Sequence, residues 1–389
     1  MISPGDVIEG AFVPPELIGP SWDAAEELAK EALAIEDGAA DASSALVALV
    51  RHFGQAGLLG LVAPRSAGGT FESVRSVALC LTRERLGFSS PLLDLAFTMQ
   101  GLGSHPIVLA GDEEQQARHL PGVLSGEHVA AFALTEPEAG SDLGGIATTA
   151  TREGDEYVLR GEKIWISNAP IADIFTVFAA TAPEGARRRL SAFVVKRGTP
   201  GLSTEAQEVL GGHPIGRVRL DGVRVPAIER LGEEGDGMRA ALGTLHRFRT
   251  TVGAAAVGFA ARALVEATNH VKTREQFGAP LAALQAVQMR IADMACDVDA
   301  SRLLVYRAAA LADAGAPRDE VSRCGSMAKL VATESAQRVI DHGVQLLGGR
   351  GVATDGVLGR LYQEVRALRI YEGTTDVQKM LIARAVLDA

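Results

Sequence analysis

The alternation of apolar and polar positions changes twice along this chain. Across residues 21–128 apolar side chains recur at helical spacing, in segments separated by Gly and Pro. One such segment, residues 46–59, predicts a helix ended by Gly60, with a loop at Pro64-Arg65-Ser66-Ala67-Gly68-Gly69. From residue 129 to 232 the runs shorten to strands. Tyr157-Val158-Leu159 and Ile164-Trp165-Ile166 flank Arg160-Gly161-Glu162 as the arms of a hairpin would. Residues 175–180, 191–195 and 218–225 are further β-like runs, the last closed by Pro226. From Gly237 the helical period returns. Val257, Ala261, Leu264, Thr268 and Val271 alternate steps of four and three. After a break at Gly278-Ala279-Pro280, so do Leu284, Val287, Ile291, Met294, Val298, Ser301 and Val305. Such stripes are bundle seams.

The pattern therefore predicts an α+β multidomain chain. Residues 1–128 form a helical domain, 129–232 a β-sheet domain and 233–389 a helical bundle. At 389 residues there is ample length for a large core. No internal repeat or low-complexity segment interrupts it.

Composition narrows the partners more than the fold. A formal charge of −10 argues against broad nucleic-acid binding, and it requires that any phosphate-bearing ligand be held by local Arg side chains and backbone amides. Cys80, Cys296 and Cys324 are isolated, without metal-ligand spacing, so a reducing compartment and no metal site are expected. The N-terminus has no basic and apolar leader pattern, and no run of about 18 apolar residues predicts a membrane span. Cytoplasm is the default location.

No Walker loop, HExxH or GxSxG occurs. Gly348-Gly349-Arg350-Gly351 follows an apolar helix rather than a strand, so by itself it reads as a helix C-cap and turn. Five other stretches are more telling. They are Phe132-Ala133-Leu134-Thr135-Glu136-Pro137-Glu138-Ala139-Gly140-Ser141-Asp142; Gly161-Glu162-Lys163-Ile164-Trp165-Ile166-Ser167-Asn168; Arg274-Glu275-Gln276-Phe277-Gly278 with Gln285; Gln345-Leu346-Leu347-Gly348-Gly349; and Ile370-Tyr371-Glu372-Gly373-Thr374-Thr375. In this order and spacing, over roughly residues 25–389, they resemble the signatures of the acyl-CoA dehydrogenase family.

The resemblance implies the fold of that family, with a C-terminal four-helix bundle, and a non-covalently bound FAD in a homotetramer or dimer. It implies that Thr135 and Ser167 hydrogen-bond the flavin, beside Phe132, Leu134 and Ile166, and that Trp165 packs against it. Gly140 and Ser141 would sit by the pyrophosphate, with Ser141 also near the substrate. Arg274, Phe277, Gln285, Gln345, Leu346, Gly348 and Gly349 would hold the FAD of a neighbouring subunit, and Thr374 and Asp376 complete the cofactor set. Tyr371, Gly373, His246 and Arg249 would line the substrate, and Glu372 would be the base. The implied reaction is α,β-desaturation of an acyl-CoA, with a β-hydride passing to flavin N5 and electrons passing on to an electron-transfer flavoprotein.

Each role has a chemical reason. A flavin is flat and edged with acceptors, so it needs an apolar wall and short donors. Trp165 and Ser167, two apart on a strand, face one side and supply both. Small residues around Pro137 let backbone N–H groups approach phosphate oxygens. Arg274 suits bidentate phosphate binding. Removing a weakly acidic α-proton needs a carboxylate strengthened by exclusion of water, and the thioester oxygen needs donors as charge builds on it. In the family these donors include the backbone N–H of the catalytic Glu. Thr374 or Thr375 then caps the following helix. Taken singly, each of these residues has a commoner structural reading: a core Trp, a Pro-Gly turn, a solvated Arg, a Glu favoured by a helix dipole. Some relatives carry the base on the helix around Phe248, which has no proton acceptor here.

Departures from the family pattern concern the thioester. His246 stands where relatives that bind CoA often carry Asp, residues 210–216 diverge, and Asp376 replaces a Gln or Glu. Free CoA is the default partner, and an acyl-carrier-protein thioester is the alternative. Arg187-Arg188-Arg189 is a candidate for meeting CoA phosphates or an acidic carrier, against the plainer reading of a solvated loop. Two readings from other classes are a flavin oxidase or monooxygenase of the same fold and a non-catalytic assembly protein.

Overall fold

A computed structural model describes residues 12–183, 185–186 and 188–388. Its sheet has eight strands: β1 (Ala130–Ala133), β2 (Thr149–Glu153), β3 (Glu156–Ser167), β4 (Ile174–Ala180), β5 (Leu190–Lys196), β6 (Leu202–Gln207), β7 (Ile215–Pro226) and β8 (Arg230–Leu231). They pair in the order β6-β7-β3-β2-β4-β5-β8, with β1 lying parallel to β4. Every residue of β1 and β4 is buried, so this end of the sheet is covered on both faces.

The predicted hairpin at Arg160-Gly161-Glu162 does not form. Residues 156–167 are one strand, paired with β7 along its length through two register shifts. Gly161 is there for a close approach instead of a turn, because a Cβ on it would lie 2.7 Å from the Cα of Thr148. The helix expected over 46–59 is also shifted. It runs Ala42–Gln55 (α2, after α1 at Ala24–Gly38), capped by the Asp41 side chain accepting from the Ser44 N–H, and a separate 3₁₀ turn covers Leu58–Val62. Strands β1, β2 and β6 carry no strong alternating signal and lay outside the predicted runs.

Two units follow from the contacts. One holds the sheet together with Glu31–Val74 and Leu95–Arg247. In it, α5 (Glu113–Leu124) opens with a capping box between Asp112 and Gln115, and α4 (Pro91–Ala110) is tied to β4 where Thr176 Oγ1 donates to the Gly103 carbonyl.

The other unit gathers the chain up to Lys30, Arg75–Asp94 and the chain from Phe248 onward. It contains α3 (Ser76–Ser89), the C-terminal part of α6 (Gly237–Thr273), α7 (Gln285–Asp313), α8 (Arg318–Leu347), α9 (Val357–Leu368) and α10 (Thr375–Leu387). Glycine lets these helices touch: a Cβ on Gly258 would meet the Glu84 carbonyl at 2.3 Å. The seam positions Met294, Val298, Ser301 and Val305 of α7 are buried as predicted. Leu284 is exposed and Val287 and Ile291 are half-buried, so the start of that stripe is partly uncovered in a single chain.

Helix α6 is long and apolar enough to cross a membrane by length and composition alone, with a mean hydropathy of 1.2. Its most apolar window is 78% buried within the protein, as befits a core helix.

Candidate active site

Glu372 lies in the turn between α9 and α10. Its φ of +53° puts a side-chain-bearing residue in the left-handed region, and Gly373 follows at +91°. Such a backbone is costly for a β-carbon and marks a segment held by its surroundings. Thr374 terminates the turn as the N-cap of α10, its side chain accepting from the Val377 N–H, as expected from sequence. The residue is half-buried, but Oε2 is sealed from solvent and has no hydrogen-bond partner. Burial pushes the carboxyl above its ordinary range, against the opposing charges of Arg83, Lys329 and Arg249.

Those three cations were not equally visible in the sequence. Arg249 was named; its Nη1 lies 3.5 Å from Ser326 Oγ, and its Nε has no partner. Arg83 and Lys329 were missed. Arg83 is 1% exposed, doubly bonded to Asp94 and bonded to Thr251 Oγ1 at 2.8 Å. Desolvation works against its charge, but Asp94 more than offsets that. Lys329, also 1% exposed, donates to the Tyr371 and Gly373 carbonyls, and burial brings its pKa down to about 8. A charged residue near mid-helix among small apolar neighbours was the one available signal. Phe248 is fully buried, and Tyr371 is partly exposed beside Glu372.

In the same unit, Arg274, Phe277 and Gln285 lie at and after a short hairpin, Glu275–Gln276 against Ala279–Pro280. Its turn is Phe277-Gly278, with φ of +55° and +81° at the two positions. Phe277 is 94% exposed, so an aromatic ring stands in solvent on a strained backbone. Gly348 is the C-cap of α8, with Gln345 exposed one turn earlier and Leu346 half-buried. Burial lowers the His270 pKa, and the charges of Arg350 and Arg274 lower it further.

In the sheet-containing unit, Phe132 and Leu134 are buried at the end of β1, and the Phe132 ring packs on Phe178 at 4.9 Å. The loop after them is fastened by a buried ion pair. Glu136 accepts from Lys163 Nζ at 2.7 Å and from the Ala147 and Thr148 N–H groups. Lys163 also donates to the Leu134 carbonyl. Its pKa falls to about 8 through burial, while its charge draws the Glu136 carboxyl below the ordinary value despite desolvation. Thr135 accepts the Ile164 N–H, which ties the first motif to the second. Gly140 and Ser141 are exposed at the loop tip, with nothing within 4 Å of a Cβ built on Gly140.

Trp165 sits at the second irregularity of β3, φ +55°, with its ring 52% exposed between buried Ile164 and Ile166. Ser167 is half-exposed, so the two share the open side of the strand despite the irregularity. An exposed indole, short rim donors and an open backbone loop fit a flavin with its pyrophosphate. His246 is half-buried on α6. Asp376 is exposed in the first turn of α10. Arg187 lies outside the described residues. Arg188 pairs with Asp236 at 2.7 Å, and Arg189 donates to the Gly144 and Ile146 carbonyls, so both have structural partners.

Comparison with known proteins identifies the family. Residues 22–127, 131–223 and 235–387 match the family models of the acyl-CoA dehydrogenase N-terminal, middle and C-terminal domains. An acyl-CoA dehydrogenase of Bacillus subtilis is 37% identical over 345 residues, 87% of this chain and 89% of that protein. Butyryl-CoA dehydrogenase from Megasphaera elsdenii superposes with a TM-score of 0.88 at 31% identity, covering 97% of this chain and 99% of the other. An acyl-CoA dehydrogenase from Bacillus anthracis, solved in complex with FAD, gives 0.87 at 30% identity over 97% of this chain and 67% of the other. The chain belongs to the acyl-CoA dehydrogenase family, enzymes that are FAD-dependent oxidoreductases.

Proposed function

We propose that this enzyme desaturates an acyl-CoA between Cα and Cβ, with Glu372 removing the α-proton. The observation that carries this reading is the Glu372 carboxylate itself: Oε2 is buried and unpartnered, and its proton affinity is raised. A base held this way is stronger than a solvated carboxylate, and it spends none of its acceptor capacity on a neighbouring donor. The charges of Arg83, Lys329 and Arg249 oppose that rise. FAD, when bound, takes up the β-hydride.

Thr135, Gly140, Ser141, Trp165, Ile166 and Ser167 would hold the cofactor, with Phe132 and Leu134 behind them. Arg274, Phe277, Gln285, Gln345, Leu346, Gly348 and Gly349 would serve the cofactor of a neighbouring subunit in a homotetramer. Thr374 and Asp376 lie at the start of α10 for the same purpose. Tyr371, Gly373, His246 and Arg249 would bound the thioester. Electrons then leave to an electron-transfer flavoprotein.

Glu372→Gln tests the assignment. The variant should bind FAD as the wild type does and lose anaerobic bleaching by a panel of acyl-CoA thioesters by about 100- to 10,000-fold. Bleaching at the wild-type rate would remove Glu372 from the role. Bleaching of the wild type by acyl-carrier-protein thioesters alone would reassign the substrate.

A further inference from the structure

Lys329 is a buried ammonium that does not pair with the nearby carboxylate. No ion pair within 4.0 Å joins Lys329 and Glu372 among the described residues. Instead Nζ takes the carbonyls on either side of Glu372, Tyr371 O and Gly373 O, each at 2.5 Å. The Gly373 carbonyl also accepts from Gln378 Nε2 at 2.9 Å, and Gln378 is itself buried. Resting on the reading of Glu372 as the base, we infer that Lys329 is a positioning residue, a clamp on the two peptides that fixes the left-handed turn and aims the Glu372 N–H.

The geometry follows from the peptide unit. In a trans peptide the N–H points opposite to the C=O, and the Tyr371 carbonyl belongs to the same peptide as the Glu372 N–H. With that carbonyl held on Lys329, the N–H faces away from the lysine, and no acceptor among the described residues takes it. A cation on the carbonyl polarises the peptide and makes the N–H a stronger donor. The arrangement presents a free donor next to a free carboxylate, which suits an oxygen that gains charge while the adjacent carbon loses a proton. Had the ammonium met the carboxylate directly, it would have weakened the base. Bonding the backbone holds the turn and leaves Oε2 unpaired.

The test uses the holoenzyme and Lys329→Met, with Lys329→Ala as a second variant. In the crystal structure of Lys329→Met, Glu372 should leave the left-handed region and the Tyr371 carbonyl should turn. Pre-reduced holoenzyme in D2O should exchange the α-protons of butanoyl-CoA, a step that needs no redox turnover. Lys329→Met should slow that exchange by about 100-fold, with thioester affinity and FAD content held within about threefold. Ethylammonium should restore exchange to Lys329→Ala by about tenfold, which general destabilisation would not allow. A Lys329→Met structure that keeps Glu372 φ near +53° overturns the clamp, whatever the rates. Absence of exchange in the wild type would count against the proposed desaturation, and the variant structure would still decide the clamp.

Discussion

Arg83 and Asp94 face each other through two 2.7 Å hydrogen bonds, Nε to Oδ1 and Nη2 to Oδ2, with side chains 1% and 5% exposed. The fork geometry satisfies both carboxylate oxygens, and Thr251 takes a third guanidinium donor. Removing one partner leaves a buried charge alone. Arg83→Met should lower unfolding free energy in urea by about 3–5 kcal/mol, and Arg83→Met with Asp94→Leu should recover most of that. Arg83 is also the largest of the charges opposing the rise in Glu372 proton affinity, so the single variant should displace the acid limb of flavin reduction to higher pH.

The pair of Glu136 and Lys163 does for the loop after β1 what Arg83 and Asp94 do near Glu372. Glu136 gathers Lys163 Nζ and two backbone N–H groups, so the chain from Thr135 to Thr148 closes around one carboxylate. Lys163→Met should cost about 3–5 kcal/mol, because Glu136 stays buried without its cation. FAD retained through gel filtration should fall with it, since Thr135, Gly140 and Ser141 ride on that loop. Full retention of FAD at reduced stability would show that the loop does not need the pair to hold its shape.

How much of this was legible in the sequence depends on whether a residue's role is local. The Thr374 cap and the Gly348 helix end are set by a few consecutive residues, and they are found where the sequence placed them. Gly161 misled because a glycine between two apolar runs reads as a turn, whereas its reason is Thr148, thirteen positions earlier and just before β2. β1 is Ala-Ala-Phe-Ala, whose composition suits a helix equally well, and only parallel pairing with β4 decides it. Lys329 and Arg83 were illegible for the same reason. A charged residue in a helix reads as a solvated face until its partners are known, and the carbonyls that hold Lys329 lie 42 and 44 residues away.

Phe277 offers a test of assembly. A ring 94% exposed on a left-handed backbone gains nothing visible from its own chain, and the conformation costs roughly 1–2 kcal/mol for a residue with a β-carbon. Phe277→Gly should therefore leave the unfolding temperature of FAD-free protein unchanged or slightly raised. If the ring covers a cofactor held by a neighbouring subunit, the same variant should lose FAD on dilution, and added FAD should bring it back. Sedimentation velocity with absorbance at the flavin band would separate loss of cofactor from loss of the oligomer. Undiminished FAD occupancy in Phe277→Gly would release the residue from that role.

The pH dependence of stability should carry two opposite signatures from one turn. Lys329 faces Glu372 on the turn and Arg249 on α6, and Glu372 faces Arg83 on α3 and Asp94 on α4 as well. Burial brings the folded pKa of Lys329 to about 8, below the ordinary 10.5. Between those values the unfolded chain binds more protons, so stability attributable to Lys329 rises with pH across that window. The span corresponds to about 3 kcal/mol. Glu372 acts in the other direction. Its folded pKa lies above the ordinary 4.5, so the folded state binds more protons just above that value, and stability falls as pH rises through the window. Urea unfolding of the wild type and Lys329→Met between pH 7 and 10.5 should show the wild type gaining stability relative to the variant as pH rises, on the order of those 3 kcal/mol. A pH-independent difference would mean that the ammonium is not desolvated as the carbonyl clamp requires. Glu372→Gln compared with the wild type from pH 4.5 upward should show the wild type losing ground. With Glu372 as the proposed base, flavin reduction in the wild type should increase over that same range, because burial disfavours the deprotonated form that this role requires.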